Sequence, residues 1–141
     1  MNIDALFWKF VSGECPLPPC ASSLGWEFID YDDRKRQVCV AFKESTQLLN
    51  PFGIIQGGML SAMLDACMAP TVFMHLQSHQ SARPTKLYVD LVEPALPGRI
   101  VGHGQLIRRA GEDWFTKGTL FDDQGRVIAS ARARYRSEEQ P

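Results

Sequence analysis

One carboxylate stands apart in this chain. Asp65 is the only charged residue between Glu44 and Arg83, and it falls inside the apolar run GGMLSAMLDACMAPTVFMHL at 57–76. An ionised carboxylate taken out of water is destabilising by several kcal/mol unless it is paired or hydrogen-bonded. A chain that keeps one there points to a catalytic role. The structural alternative is a polar seam, or a hydrogen bond back to Ser61 one turn earlier. The same run opens on Gly57-Gly58, preceded by Ile54-Ile55-Gln56. The first N–H groups of a helix lack internal partners and carry partial positive charge. Glycine lets a ligand approach that backbone closely. Together these are the parts of an oxyanion hole, in which fixed N–H donors meet charge developing on a carbonyl oxygen. A merely flexible helix start is the alternative for the glycines alone. A buried Asp eight residues further on strengthens the chemical reading.

Other chemistries lack their motifs. No G-x-S-x-G is present, so no nucleophile elbow is expected. Gly102-His103-Gly104 sits inside a strand-like segment and lacks the third glycine and the helix of a dinucleotide fingerprint. His75, His79 and His103 make no metal spacing with carboxylates. Cys15, Cys20, Cys39 and Cys67 include no CxxC pair, so no metal and no cofactor are expected. Free thiols are expected for all four in a cytoplasmic protein.

The elements around these residues follow from periodicity. Residues 3–11 place Ile3, Leu6, Phe7 and Phe10 at helical spacing, and the prolines at 16, 18 and 19 then predict a loop. Segments 24–31 and 36–43 alternate around an Asp-Asp-Arg-Lys turn and predict a hairpin. The run from Gly57 to about Leu76 predicts a helix buried on most sides, with Pro70 kinking it or ending its regular part. Four strand-like segments follow, at 85–93, 99–109, 113–121 and 126–136. Turn residues between them predict consecutive antiparallel hairpins. One helix buried by about six antiparallel strands requires a curved sheet wrapped around it, an α+β architecture in a single domain spanning 1–141. Gly102, Gly104, Gly118, Ala129, Ala131 and Ala133 alternate on three of these strands. They either let the helix sit close to the sheet or mark bulges and bends.

The motif Asn50-Pro51-x-Gly53-x-x-Gln56-Gly57-Gly58, followed by Asp65, resembles the active-site helix of the PaaI-type hotdog thioesterases. Leu87-x-Val89 with Pro94-Ala95 and Gly98 is similar to that family's strand after the helix. The resemblance covers roughly residues 22–136. It implies a hotdog fold, a homodimer joined through a continuous sheet and often a homotetramer, and metal-free hydrolysis of acyl-coenzyme A. It assigns Asp65 as base or nucleophile, Gly57 as the N–H that polarises the thioester carbonyl, and Asn50 as a group orienting water or substrate. Gln56 stands where the family usually has His; it can donate an N–H but cannot titrate. Thr85 lies one position out of phase with the family's Ser/Thr contact. Gly58, Thr85 and Met59 are the expected substrate contacts. Met59, Met63, Met68 and Met74 otherwise read as core.

Composition sets the outer bounds. Apolar residues form 45% and charged residues 22% of the 141 residues, which is a globular balance rather than a disordered one. A net charge of −1 gives no general attraction to nucleic acid or anionic membrane. No apolar stretch reaches the roughly eighteen residues of a membrane span, and the N-terminus lacks a signal-like pattern, so a cytoplasmic location is expected. Two alternatives stay open: a hotdog hydratase or dehydratase, and a non-catalytic hotdog that binds acyl-coenzyme A or lipid. Arg132, Arg134 and Arg136 alternate on the last strand and read as its solvated face.

Overall fold

The computed structural model describes residues 1–43 and 46–141. Helices α1 (Leu6–Ser12) and α2 (Pro19–Ser23) precede the hairpin β1 (Trp26–Asp32) and β2 (Gln37–Phe42). The central helix α3 (Gly57–Phe73) follows, then β3 (Gln80–Leu91), β4 (Ile100–Ala110), β5 (Asp113–Phe121) and β6 (Val127–Glu139). The strands form one six-stranded antiparallel sheet in the order β1-β2-β4-β5-β6-β3, curved around α3. This is the hotdog architecture. No described helix is long and apolar enough to cross a membrane.

The small residues explain how the helix fits. A methyl group on Gly102 would overlap the Cys67 sulfur, and one on Gly104 would overlap the Cys67 carbonyl oxygen. One on Gly118 would lie 3.0 Å from Cγ of Met68. These glycines are contacts between α3 and the sheet rather than bends. Val38, Val40 and Phe42 from β2 and Leu120 from β5 close over Leu64, Cys67 and Met68, all fully buried. Burial of this kind stabilises by roughly 25 cal/mol per Å² of apolar surface removed from water.

Several expectations need correction. The four last strands do not form consecutive hairpins. Only β4, β5 and β6 make a meander, while β3 pairs with β6 at the sheet edge. The connection 92–99 is therefore a crossover past β6 and β5. It is held by the N–H groups of Val92 and Glu93 on the Ile128 carbonyl, and by Ile55 N–H on that of Ala95. Pro70 does not end α3, which runs on to Phe73. Proline withholds the N–H that the Ala66 carbonyl would receive, and the Trp26 indole N–H fills that place at 3.0 Å. The prolines at 16, 18 and 19 do not give an unbroken loop. Pro19 opens the short helix α2, where its fixed φ suits the first helical position. The first helix starts at Leu6, with Ile3 and Leu6 turned to solvent. Its inward residues are Phe7 and Trp8, which meet Trp26 and Phe28 of β1 edge to face. Met63, Met68 and Met74 are core, but Met59 is 39% exposed.

Candidate active site

Asp65 lies near the middle of α3 and is half-buried. Its partner is Tyr135, a fully buried residue on β6 whose hydroxyl donates to Oδ1 of Asp65. The same hydroxyl stands 3.4 Å from the Asp65 carbonyl oxygen. Burial and the neighbouring Asp65 charge push the Tyr135 phenol well above its ordinary range, so it stays protonated and donating. Ser61 is not that partner, because its hydroxyl donates to the Gly57 carbonyl at 3.1 Å. The carboxylate is thus neither orphaned nor neutralised by a cation.

Beside this pair lies an apolar cavity of about 280 Å³. The N-terminal segment supplies one wall through Phe7, Phe10, Leu17 and Leu24, and α3 supplies another through Ala66 and Phe73. Asp65 is the one carboxylate among its described lining residues, and Tyr135 sits next to it. A carboxylate on an apolar wall is suited to work on a bond whose remaining substituent is apolar.

The other sequence-predicted residues gather two turns away, at the start of α3. The N–H groups of Gly57 and Gly58 meet no acceptor among the described residues, whereas that of Met59 turns back to the Gln56 carbonyl at 2.8 Å. Gly58 faces open space. Gly57 lies beneath Leu91, whose Cδ1 a methyl group at position 57 would meet at 2.8 Å and have to displace. Gln56 flanks the helix, is exposed, and makes no side-chain cap. Asn50 shapes the loop before it: its Oδ1 accepts the N–H of Phe52 at 2.9 Å and that of Ile54 at 3.4 Å. Thr85 is the bulged residue of β3, between Pro84 and Lys86 in the pairing with β6. Its hydroxyl donates to the Arg134 carbonyl at 3.1 Å and accepts from Nε of Arg134 at 3.2 Å.

The chain therefore brings Asn50, Gln56, Gly57, Gly58 and Met59 to one end of α3 and holds Asp65 further along it. Eight residues at 1.5 Å each separate Gly57 from Asp65 by about 12 Å. The histidines lie elsewhere. His75 faces the Thr71 carbonyl through Nδ1 and sits against Trp114, and His103 lies against Phe121. Burial holds both below the usual imidazole range, and neither lines the Asp65 cavity. Sequence reasoning missed Tyr135 and the N-terminal wall. The signal for Tyr135 was present, since it is the next inward position after Ala129, Ala131 and Ala133 on β6.

The chain is 32% identical to a phenylacetic acid degradation-related protein from Ralstonia eutropha JMP134, with 92% of this chain and 98% of that one aligned at a TM-score of 0.87. The chain belongs to the PaaI-type hotdog thioesterase family. Within the same fold, the PaaI protein of the E. coli phenylacetic acid degradation operon aligns over 95% of this chain and 94% of that one, at 18% identity and TM-score 0.81. A thioesterase from Haemophilus influenzae aligns over 84% and 82%, at 13% identity and TM-score 0.77. No family model and no curated protein matches the sequence.

Proposed function

We propose that this protein hydrolyses acyl-coenzyme A thioesters to free acid and coenzyme A. The observation that carries the reading is Asp65, hydrogen-bonded and set on the wall of an apolar cavity, on a helix whose first N–H groups are free. The thioester carbonyl oxygen accepts from the Gly57 N–H, with Gln56 beside it. An oxyanion donor of this kind is worth about 10²–10³-fold in rate. Asp65 activates a water molecule or attacks the carbonyl carbon itself, and both routes require the same placement. Asn50 supports the loop that presents Gln56 and Gly57, while Gly58 and Met59 flank the thioester. Thr85 contributes through the bulge that fixes the adjoining strand. The acyl arm enters the cavity beside Asp65. An apolar cavity of about 150 Å³ holds one benzene, so the space here suits an arm of roughly ten carbons.

A base and an oxyanion donor must both come within about 3 Å of one carbonyl group. A single straight helix cannot do this across ~12 Å. Two copies of α3 running antiparallel about a two-fold axis can, each helix start meeting its neighbour's middle. β3 suits such a homodimer. It is an edge strand of twelve residues, with Leu87, Tyr88 and Leu91 exposed. A homotetramer would be built from two such dimers.

The test is thiol release from a panel of acyl-coenzyme A substrates. Saturable turnover is expected, with preference for medium-length apolar or aromatic acyl groups. Tight binding without thiol release across the panel would instead support a non-catalytic acyl-coenzyme A carrier.

A further inference from the structure

Tyr135 is the largest fully buried side chain in the molecule and carries the hydroxyl nearest to Asp65. A buried hydroxyl needs a partner, and two acceptors are in reach: the carboxylate and, at 3.4 Å, the Asp65 carbonyl. The hydroxyl is directed at the carboxylate. The turn that bears Asp65 is also tied to β1, where the Trp26 indole donates to the Ala66 carbonyl. Two strands far apart in the sheet thus fix one helical turn, one through the backbone and one through the side chain.

We infer that Tyr135 is a positioning residue for the reaction: its hydroxyl engages one oxygen of the Asp65 carboxylate and leaves the other to face the thioester carbonyl. The inference rests on the proposed hydrolysis at Asp65. A carboxylate on α3 has side-chain rotamers open to it, and a misplacement of about 1 Å costs on the order of 10²-fold in rate. The tyrosine is suited to prevent this. Its ring is locked among core residues, its backbone is held in the ladders with β5 and β3, and its phenol stays neutral beside a negative charge. Tyr135 lines the apolar cavity and is itself fully buried, so its end of this contact is shielded from solvent.

Tyr135→Phe, Asp65→Asn and the double variant, each checked by thermal melting, are compared for thiol release from octanoyl-coenzyme A. Tyr135→Phe is expected to lower kcat about tenfold, the rate equivalent of one hydrogen bond to a charged group, with KM within about twofold of the parent. In the Asp65→Asn background the same change should lower the residual rate no further, because residues that act as a unit are not additive. Parental kcat in Tyr135→Phe, with Asp65→Asn inactive, overturns the positioning role and leaves the hydrolysis reading intact. An equal loss in both backgrounds overturns it too, since Tyr135 then serves the core and not the carboxylate. Full turnover in Asp65→Asn removes the hydrolysis reading and the inference with it. A second readout needs no change at position 135 and no turnover. With ¹³Cζ-labelled tyrosine, Asp65→Asn should move the Tyr135 resonance and leave those of Tyr31 and Tyr88 in place. An unmoved Tyr135 resonance would show that the hydroxyl does not address the carboxylate.

Discussion

At the scale of single residues, the proposed chemistry depends on the Asp65 carboxylate. Asp65→Asn keeps the shape and removes the base. It should lower kcat at least ~10²-fold while the melting temperature is held or raised, because a half-buried charge is gone. Near-parental turnover in thiol-release assays would end the assignment. Gln56→His tests the one departure from the family motif. The side chain is exposed and engaged in no cap, so the exchange should be tolerated structurally. Activity on the preferred substrate should be kept or raised; a clear loss would mean that this site uses Gln56 in its own way. Asp65 was legible in the sequence because a lone charge in an apolar run is conspicuous. Tyr135 was not, because seventy residues separate it from Asp65 and a tyrosine on a strand reads as core. Only the curvature of the sheet brings the two together.

At the scale of elements, the tightest contact is between α3 and the glycines of β4. Gly104→Ala would push a methyl group into the Cys67 carbonyl. Overpacking of this kind costs typically about 1–3 kcal/mol, and here the obstacle is backbone, which cannot turn aside. A lowered melting temperature, by several degrees or more, is expected in differential scanning calorimetry. Gly58→Ala, which faces open space, should leave stability nearly unchanged. A stable Gly104→Ala protein would mean that helix and sheet are less closely seated than described. The existence of nearly every element was readable from hydrophobic periodicity. The partner of β3 was not, because the residues 92–99 carry turn chemistry that serves a hairpin and a crossover equally well. The survival of α3 beyond Pro70 was hidden for a similar reason. The donor that replaces the missing helical bond is an indole on β1, forty residues away.

At the scale of the whole molecule, the proposed hydrolysis, with Gly57 and Asp65 about 12 Å apart along one helix, would be a property of two chains. Subunit mixing tests this. Inactive Asp65→Asn and a helix-start variant such as Gln56→Ala are refolded together. In a mixed dimer one site inherits both intact halves and the other both lesions. Random mixing makes half the dimers mixed, so roughly a quarter of all sites should recover. Mixed dimers, demonstrated by mass, that show no recovered turnover would place both residues in one chain.

The cavity beside Asp65 is enclosed largely by the N-terminal segment and α3, with Trp26, Pro84 and Tyr135 contributed by the sheet. That segment is fastened at its ends: Asn2 is tied to the carbonyls of Met74 and Leu76 at 2.8 and 2.7 Å, and Phe7 and Trp8 meet the aromatic face of β1. None of these fastenings involves Asp65 or Gly57, and the aromatic ones are made to β1. On the proposed hydrolysis, much of the wall that would meet the acyl group lies on a different stretch of chain from Asp65 and Gly57 and can diverge separately. Transplanting the stretch corresponding to residues 1–25 from the Ralstonia eutropha relative should shift the order of preferred acyl groups while turnover on a shared substrate stays within about tenfold of the parent. An unchanged preference would move the determinant of selectivity back onto α3.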